Sequence, residues 1–137
     1  MLAERLRAMK NQPERGAVSL ELAIVFPALL VLLLAILQTA LWFYARNLAL
    51  AGANEGARAG AQHATPAAGE DAARSFLAQS AGDALTDVTV SSAGGSVTEV
   101  HIRVTGRSLT IVPILHLPRV AQDATAPRER FTTPTRP

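Results

Sequence analysis

Between Glu21 and Arg46 the chain carries no charged side chain. The 24-residue window from Leu22 to Ala45, LAIVFPALLVLLLAILQTALWFYA, holds only Gln38 and Thr39 as clearly polar groups. At ~1.5 Å per residue it forms a helix of roughly 36 Å, enough to cross a hydrocarbon core of about 30 Å. A soluble body would have to cover such a helix on all sides, and a chain of 137 residues leaves too little material for that. The window is therefore expected to span a membrane, with Trp42 and Tyr44 at headgroup level at its C-terminal end. Pro27 lies inside the window, where a lipid-embedded helix accommodates it as a kink.

The flanks set an orientation. Arg5, Arg7, Lys10 and Arg15 precede the window against Glu4 and Glu14, whereas only Arg46 and Arg58, with Glu55 between them, follow it closely. This bias predicts a single-pass protein of the cytoplasmic membrane with its N-terminus inside and its C-terminus outside. The helix is expected to continue past Arg46 as a stalk to residue 62. Small residues recur there at spacing four, as Ala45, Ala49, Ala53, Ala57 and Ala61 on one stripe and Gly52, Gly56 and Gly60 on the next. Each glycine costs about 1 kcal/mol relative to alanine in a helix, so three at regular spacing point to close approach by another helix.

Thr65-Pro66 with Ala67, Ala68 and Gly69 reads as a break. Glu70 and Asp71 then open a second helical pattern, with Ala73, Phe76, Leu77, Ser80, Ala81 and Ala84 on one stripe. Beyond it the period changes to two. Val88 and Val90 alternate with polar residues, Ala93-Gly94-Gly95 marks a turn, and Val100, Ile102 and Val104 alternate with Glu99, His101 and Arg103. This predicts a β-hairpin whose valine face lies on the second helix or on the stalk. Leu109 to Leu117, interrupted by Pro113, is too short to span a membrane and is expected to cover the open end of the core. Residues 119–124 can add an edge strand, and a solvated tail is expected from Ala126. The fold class is α+β, with a long transmembrane and stalk helix, a second helix and a small antiparallel sheet. The expected parts are a leader over 1–16, the helix over 17–62, a small extracytoplasmic domain over 63–125 and a tail over 126–137.

No chemistry is assembled by these patterns. The absence of cysteine excludes disulfides, thiolate zinc sites and cysteine nucleophiles. A net charge of +2 and an aromatic content of 4% exclude a nucleic-acid footprint with stacking platforms. His63, His101 and His116 share no helical ligand spacing, and no phosphate-loop, dinucleotide or nucleophile-elbow pattern occurs. The expected protein is not an enzyme and carries no cofactor or metal. The one anomalous side chain is Glu21, a lone carboxylate at the head of the apolar run, where it costs desolvation unless something pairs with it.

The stretch from Glu14 to Gln62 resembles the N-terminal region of TadE-like proteins, minor pilin-like components of the tight-adherence (Tad) branch of type IV pili. The resemblance rests on Arg15-Gly16, Glu21 five residues after Gly16, Pro27 within the apolar run, the cluster Trp42-Phe43-Tyr44-Ala45-Arg46-Asn47, and Asn54-Glu55-Gly56-Ala57-Arg58-Ala59. Further on the chain departs from the family pattern, because Pro127 and Arg128-Glu129-Arg130 occupy the place of a final strand. The resemblance implies cleavage by a membrane prepilin peptidase between Gly16 and Ala17. Glu21 would then be the fifth residue of the mature chain and would pair with the new α-amine of a neighbouring subunit. It also implies other pilins or pseudopilins and the pilus assembly platform as partners, with Ala45, Ala49, Gly52, Ala53, Gly56, Ala57 and Gly60 as the helix-packing face. Two alternatives stay open at this level. One is an uncleaved single-pass anchor presenting a small interaction domain. The other is a secreted domain whose signal ends at Ala49-Leu50-Ala51.

Overall fold

The computed structural model describes residues 13–63 and 65–128, so residues 1–12 of the expected leader (1–16) and 129–137 of the expected tail (126–137) lie outside the described residues. The chain divides between Leu37 and Gln38 into two compact units, and one helix, α1 (Pro13–His63), contributes to both. In the first unit α1 is the one element among the described residues. It is continuous through Pro27, and Val18, Ile24, Phe26 and Leu33 are all exposed. Among the described residues α1 is long and apolar enough to cross a membrane, with a mean hydropathy of 2.8 over its most apolar 18-residue window, none of which is buried. Nothing among the described residues covers that surface, and a helix so exposed and apolar suits an apolar surrounding, which suggests a membrane anchor.

The second unit is the α+β body. It holds α1 from Gln38 onward, α2 (Pro66–Ser80), a 3-10 turn (Gly82–Ala84) and the strands β1 (Leu85–Ser91), β2 (Glu99–Ser108) and β3 (Val120–Pro127). The sheet is antiparallel in the order β1-β2-β3.

Helix α2 begins earlier than its acidic residues suggest. Thr65 is extended (φ −129°, ψ 129°) and Pro66 opens the helix. Proline suits that position, since its missing N–H has no intrahelical acceptor there and its φ is already helical. Ala67, Ala68 and Gly69 are thus helical rather than a break, and Gly69, Ala73 and Leu77 form the buried face. The helix closes with the Ala81 N–H donating to the Leu77 carbonyl at 2.9 Å, and Gly82 at φ +47° turns the chain into β1.

Strand β2 follows the expected alternation, with Val100, Ile102 and Val104 buried. In β1 the alternation fails. Val90 is buried but Val88 is exposed, because the register shifts between Thr86 and Thr89. Asp87 and Val88 stand opposite Gly106 alone, and Asp87 takes φ +50°. This is a β-bulge with its first residue in the left-handed region, where aspartate is one of the few tolerated side chains. Gly106 is required across from it: a methyl group there would lie 2.8 Å from Leu85 Cδ1 and 3.1 Å from the Thr86 carbonyl oxygen.

The third strand exists and is longer than expected. It runs to Pro127, which pairs with Glu99, and the Arg128 N–H donates to the Thr98 carbonyl at 2.8 Å. Ala126 and Pro127 therefore belong to the sheet and not to a tail, and Pro127 is tolerated because β3 is an edge strand.

The inner face of the sheet lies on both helices. Ile102 reaches Gly56 and Gly69, and Val100 reaches Gly60. The core is small: Leu77, Leu85, Val90, Val100, Ile102, Val104 and Val120 close over the alanines of α1 and α2. The apolar segment after β2 does not close this core as expected. Ile111, Ile114, Leu115 and Leu117 are exposed, Ile114 to 86%.

Candidate functional site

The Gly16–Ala17 bond lies in the first turn of α1, which begins at Pro13. The first four N–H groups of any helix have no intrahelical acceptor, so a few residues here unwind at the loss of few hydrogen bonds. Glycine lowers that loss further. Glu21 follows one turn later and is exposed. Its neighbours along the helix surface are Val18, Leu22 and Val25, all apolar and exposed, and it makes no ion pair with a described side chain. In lipid such a carboxylate gains strongly from a cation brought beside it, because unpaired charge at low dielectric is penalised. Two of the sequence-predicted groups, the Gly16–Ala17 bond and Glu21, are thus brought together at one end of α1.

The seven predicted packing residues are brought together elsewhere. Ala45, Ala49, Gly52, Ala53, Gly56, Ala57 and Gly60 are buried along one side of α1 in the second unit. What covers them is this chain's own α2 and sheet. A methyl group at Gly56 would stand 2.7 Å from the Gly69 carbonyl oxygen and 2.8 Å from Ala73 Cβ. One at Gly69 would stand 2.6 Å from the Gly56 carbonyl oxygen and 3.3 Å from Gly60 Cα. Glycine on both sides lets the two helix backbones approach to contact, and the spacing of four keeps that contact in register along α1.

Sequence reasoning left Gln38 without a role. Gln38 is buried, with 1% of its surface exposed, and its side chain holds the segment after β2. The amide Nε2 donates to the Leu109 carbonyl at 2.9 Å, while Oε1 accepts from the N–H groups of Ile111 at 2.8 Å and Val112 at 3.2 Å. Trp42, one turn further on, donates from Nε1 to the Pro118 carbonyl at 3.0 Å and packs edge-on against Phe43. The signal was present: a primary amide inside an apolar run must find partners, and a carbonyl and two N–H groups satisfy it.

On the outer face of the body the polar groups tie elements together. Glu70 accepts from the Ser92 hydroxyl at 2.7 Å and from the Ser92 N–H at 3.0 Å, and pairs with Arg74 at 2.7 Å. The Ser92 hydroxyl bond, then Arg74, hold the Glu70 carboxyl below its ordinary range. Arg103 and Asp123 pair across β2 and β3, and the guanidinium hydrogen bonds lower the Asp123 carboxyl in the same way. His101, expected as a solvated strand residue, is half-buried, donates from Nδ1 to the Ala93 carbonyl at 2.7 Å and faces Asp123. Among the described residues no group of three or more histidines and carboxylates is placed to hold a metal ion. These contacts fix strands and turns, and none converges on a cleft.

Comparison with known proteins bears on α1. The family model described as TadE-like protein matches residues 16–58, in agreement with the family that this part of the sequence resembles. The match begins at Gly16 and lies wholly on α1, so it includes Glu21 and most of the glycine-alanine face but not α2 or the sheet. No curated protein and no solved structure matches the chain.

Proposed function

We propose that this chain is a minor pseudopilin, a structural or assembly component of a Tad-type pilus, processed by a prepilin peptidase between Gly16 and Ala17. The observation that carries the proposal is the family match from Gly16 onward, on a helix whose apolar surface is exposed and carries one carboxylate at its head. The TadE-like family is one of structural pilus components, and its match points to a pilus-associated protein with an apolar N-terminal helix.

Cleavage at that bond changes the electrostatics of the helix end in two ways. It removes the basic leader and leaves an α-amine at Ala17, one turn before Glu21 on the same face. It also makes Ala17 the start of the helix, so the carboxylate comes to lie near the positive end of the helix dipole. A cleaved helix thus presents an amine and a carboxylate about one turn apart. The carboxylate of one subunit then pairs with the amine of its neighbour, and the pair sets axial register as a subunit passes from bilayer to filament. Because α2 and the sheet bury the small-residue face, subunits meet through the exposed surface of the apolar run instead.

The test is the intact mass and N-terminal sequence of the protein from native membranes, for the wild type and for Gly16→Ala. A chain beginning at Ala17, left uncut in the variant, is the expected result. A chain beginning at Met1 in both would make the protein an uncleaved anchor. One beginning at Gly52 would make the apolar run a secretory signal.

A further inference from the structure

The segment from Leu109 to Pro118 carries no charged residue and exposes Ile111, Ile114, Leu115 and Leu117. It has no regular secondary structure, and part of its backbone is held by α1. Gln38 takes the Leu109 carbonyl and the N–H groups of Ile111 and Val112, and Trp42 takes the Pro118 carbonyl. The Leu115 N–H donates to the Val112 carbonyl at 3.0 Å, and Pro113 and Pro118 have no N–H to satisfy. Exposed irregular backbone is not accommodated in the hydrocarbon itself, so the place for such a segment is the wet headgroup boundary, where its remaining polar groups keep water. The residues that hold it, Gln38 and Trp42, belong to the last turns of the same uncharged run that ends at Ala45. A loop tied to those turns sits at the level where that run leaves the hydrocarbon.

Its two ends are basic. Arg107 precedes the loop and Arg119 follows it, and both meet the bulged Asp87: Arg107 Nε lies 3.6 Å from the carboxylate, and Arg119 donates to the backbone carbonyl at 3.4 Å. The β1 bulge therefore gathers both arginines at the mouth of the loop. They line a cavity of about 440 Å³ with His116, Leu115 and Leu117, so cationic and apolar side chains share its wall. That pairing of chemistries fits a phospholipid, with phosphate at the arginines and acyl chain at the leucines.

We infer that the 109–118 loop inserts into the outer leaflet beside α1. Its backbone stays at headgroup level, its isoleucine and leucine side chains reach the acyl boundary, and Arg107 and Arg119 meet lipid phosphates. The body then has two attachments to the bilayer, and the loop fixes its rotation about α1. This inference rests on the reading of the Leu22–Ala45 run as a membrane span.

The experiment uses the full chain in vesicles of phosphatidylethanolamine and phosphatidylglycerol. The absence of cysteine allows single reporters at Ile114→Cys in the loop, Leu32→Cys in the apolar run and Ser80→Cys on exposed α2, each carrying an environment-sensitive fluorophore. The expected result is quenching of the Ile114 reporter by shallow spin-labelled lipids with loss of quenching by iodide, while the Ser80 reporter is quenched by iodide and the Leu32 reporter by deep spin labels. Iodide quenching at Ile114 equal to that at Ser80, with Leu32 still in lipid, would overturn the inference alone. Failure of lipid to quench Leu32 would overturn the membrane span and the inference with it. Protection of Ile114 from both quenchers would mean that another protein surface covers the loop, which also overturns it. Gln38→Leu is expected to restore iodide quenching at Ile114, and unchanged quenching there would remove the amide as the clamp.

Discussion

At Gly56 a single hydrogen in place of a methyl group decides how α1 and α2 pack. Alanine there would gain about 1 kcal/mol of helix propensity and lose about 1–3 kcal/mol to overpacking, since the atoms it meets at 2.7 and 2.8 Å are a backbone oxygen and a helical Cβ that cannot swing away. The net expectation for Gly56→Ala is a loss of up to about 2 kcal/mol. Gly52→Ala should cost less, because its added methyl group meets only the Leu77 side chain. Denaturant midpoints of the full chain in detergent, followed by the emission of its single tryptophan, Trp42, would rank the two. The spacing of the glycines was legible in the sequence, and so was the need for a close neighbour. Which helix comes close was not. A stripe of small residues specifies a distance of approach and carries no address, and only the placement of Gly69 on α2 supplies the partner. Gln38 was illegible for a related reason. An amide in an apolar run announces that it needs partners, but those it found lie more than seventy residues away in a loop.

Among the elements, α1, α2 and β2 follow from their periodicities, and β1 and β3 correct them. Alternation predicted Val88 and Val90 as inward residues; the bulge at Asp87 and Val88 takes Val88 out of that alternation, while Val90 beyond it stays buried. The sequence marks the bulge only by Asp87 and Gly106, which read as ordinary polar and turn residues until they are paired. The link between α2 and the hairpin has a consequence for acid stability. Glu70 on α2 holds Ser92 at the end of β1, and its carboxyl lies below its ordinary value when folded. A depressed folded value means that the unfolded chain binds the proton more readily. The stabilisation is therefore complete above the unfolded value and fades as pH falls through the folded one. Asp123 has the same sign, but its side chain is 43% exposed against 24% for Glu70, so solvent screens more of its contribution. Midpoints measured between about pH 5 and about pH 3 should fall in the wild type and fall less in Glu70→Gln. An equal fall in both would show that the α2-hairpin tie does not govern acid sensitivity.

For the whole molecule, direction in the membrane depends on charge near the span rather than on the fold. Four basic residues, Arg5, Arg7, Lys10 and Arg15, precede the apolar run, while Arg46 and Arg58 follow within the distance that governs insertion. Beyond them the body offers no counterweight: from residue 59 to Arg128 the chain has five arginines and six carboxylates. The body is expected outside, with Gly16 and Ala17 on the cytoplasmic side. Ser80 is exposed on α2, and an impermeant maleimide reads its position without background in a chain that lacks cysteine. In spheroplasts expressing Ser80→Cys, full labelling before lysis is the expected outcome. Labelling only after lysis would put the body in the cytoplasm and the Gly16–Ala17 bond on the far side. A cytoplasmic-side peptidase could not then reach that bond, and Glu21 would sit at the outer surface with no new amine to meet. The same result would leave the arginine-flanked loop facing the inner leaflet, where anionic headgroups are also present. Orientation therefore decides the processing proposal outright, while the attachment of the loop to lipid survives either answer.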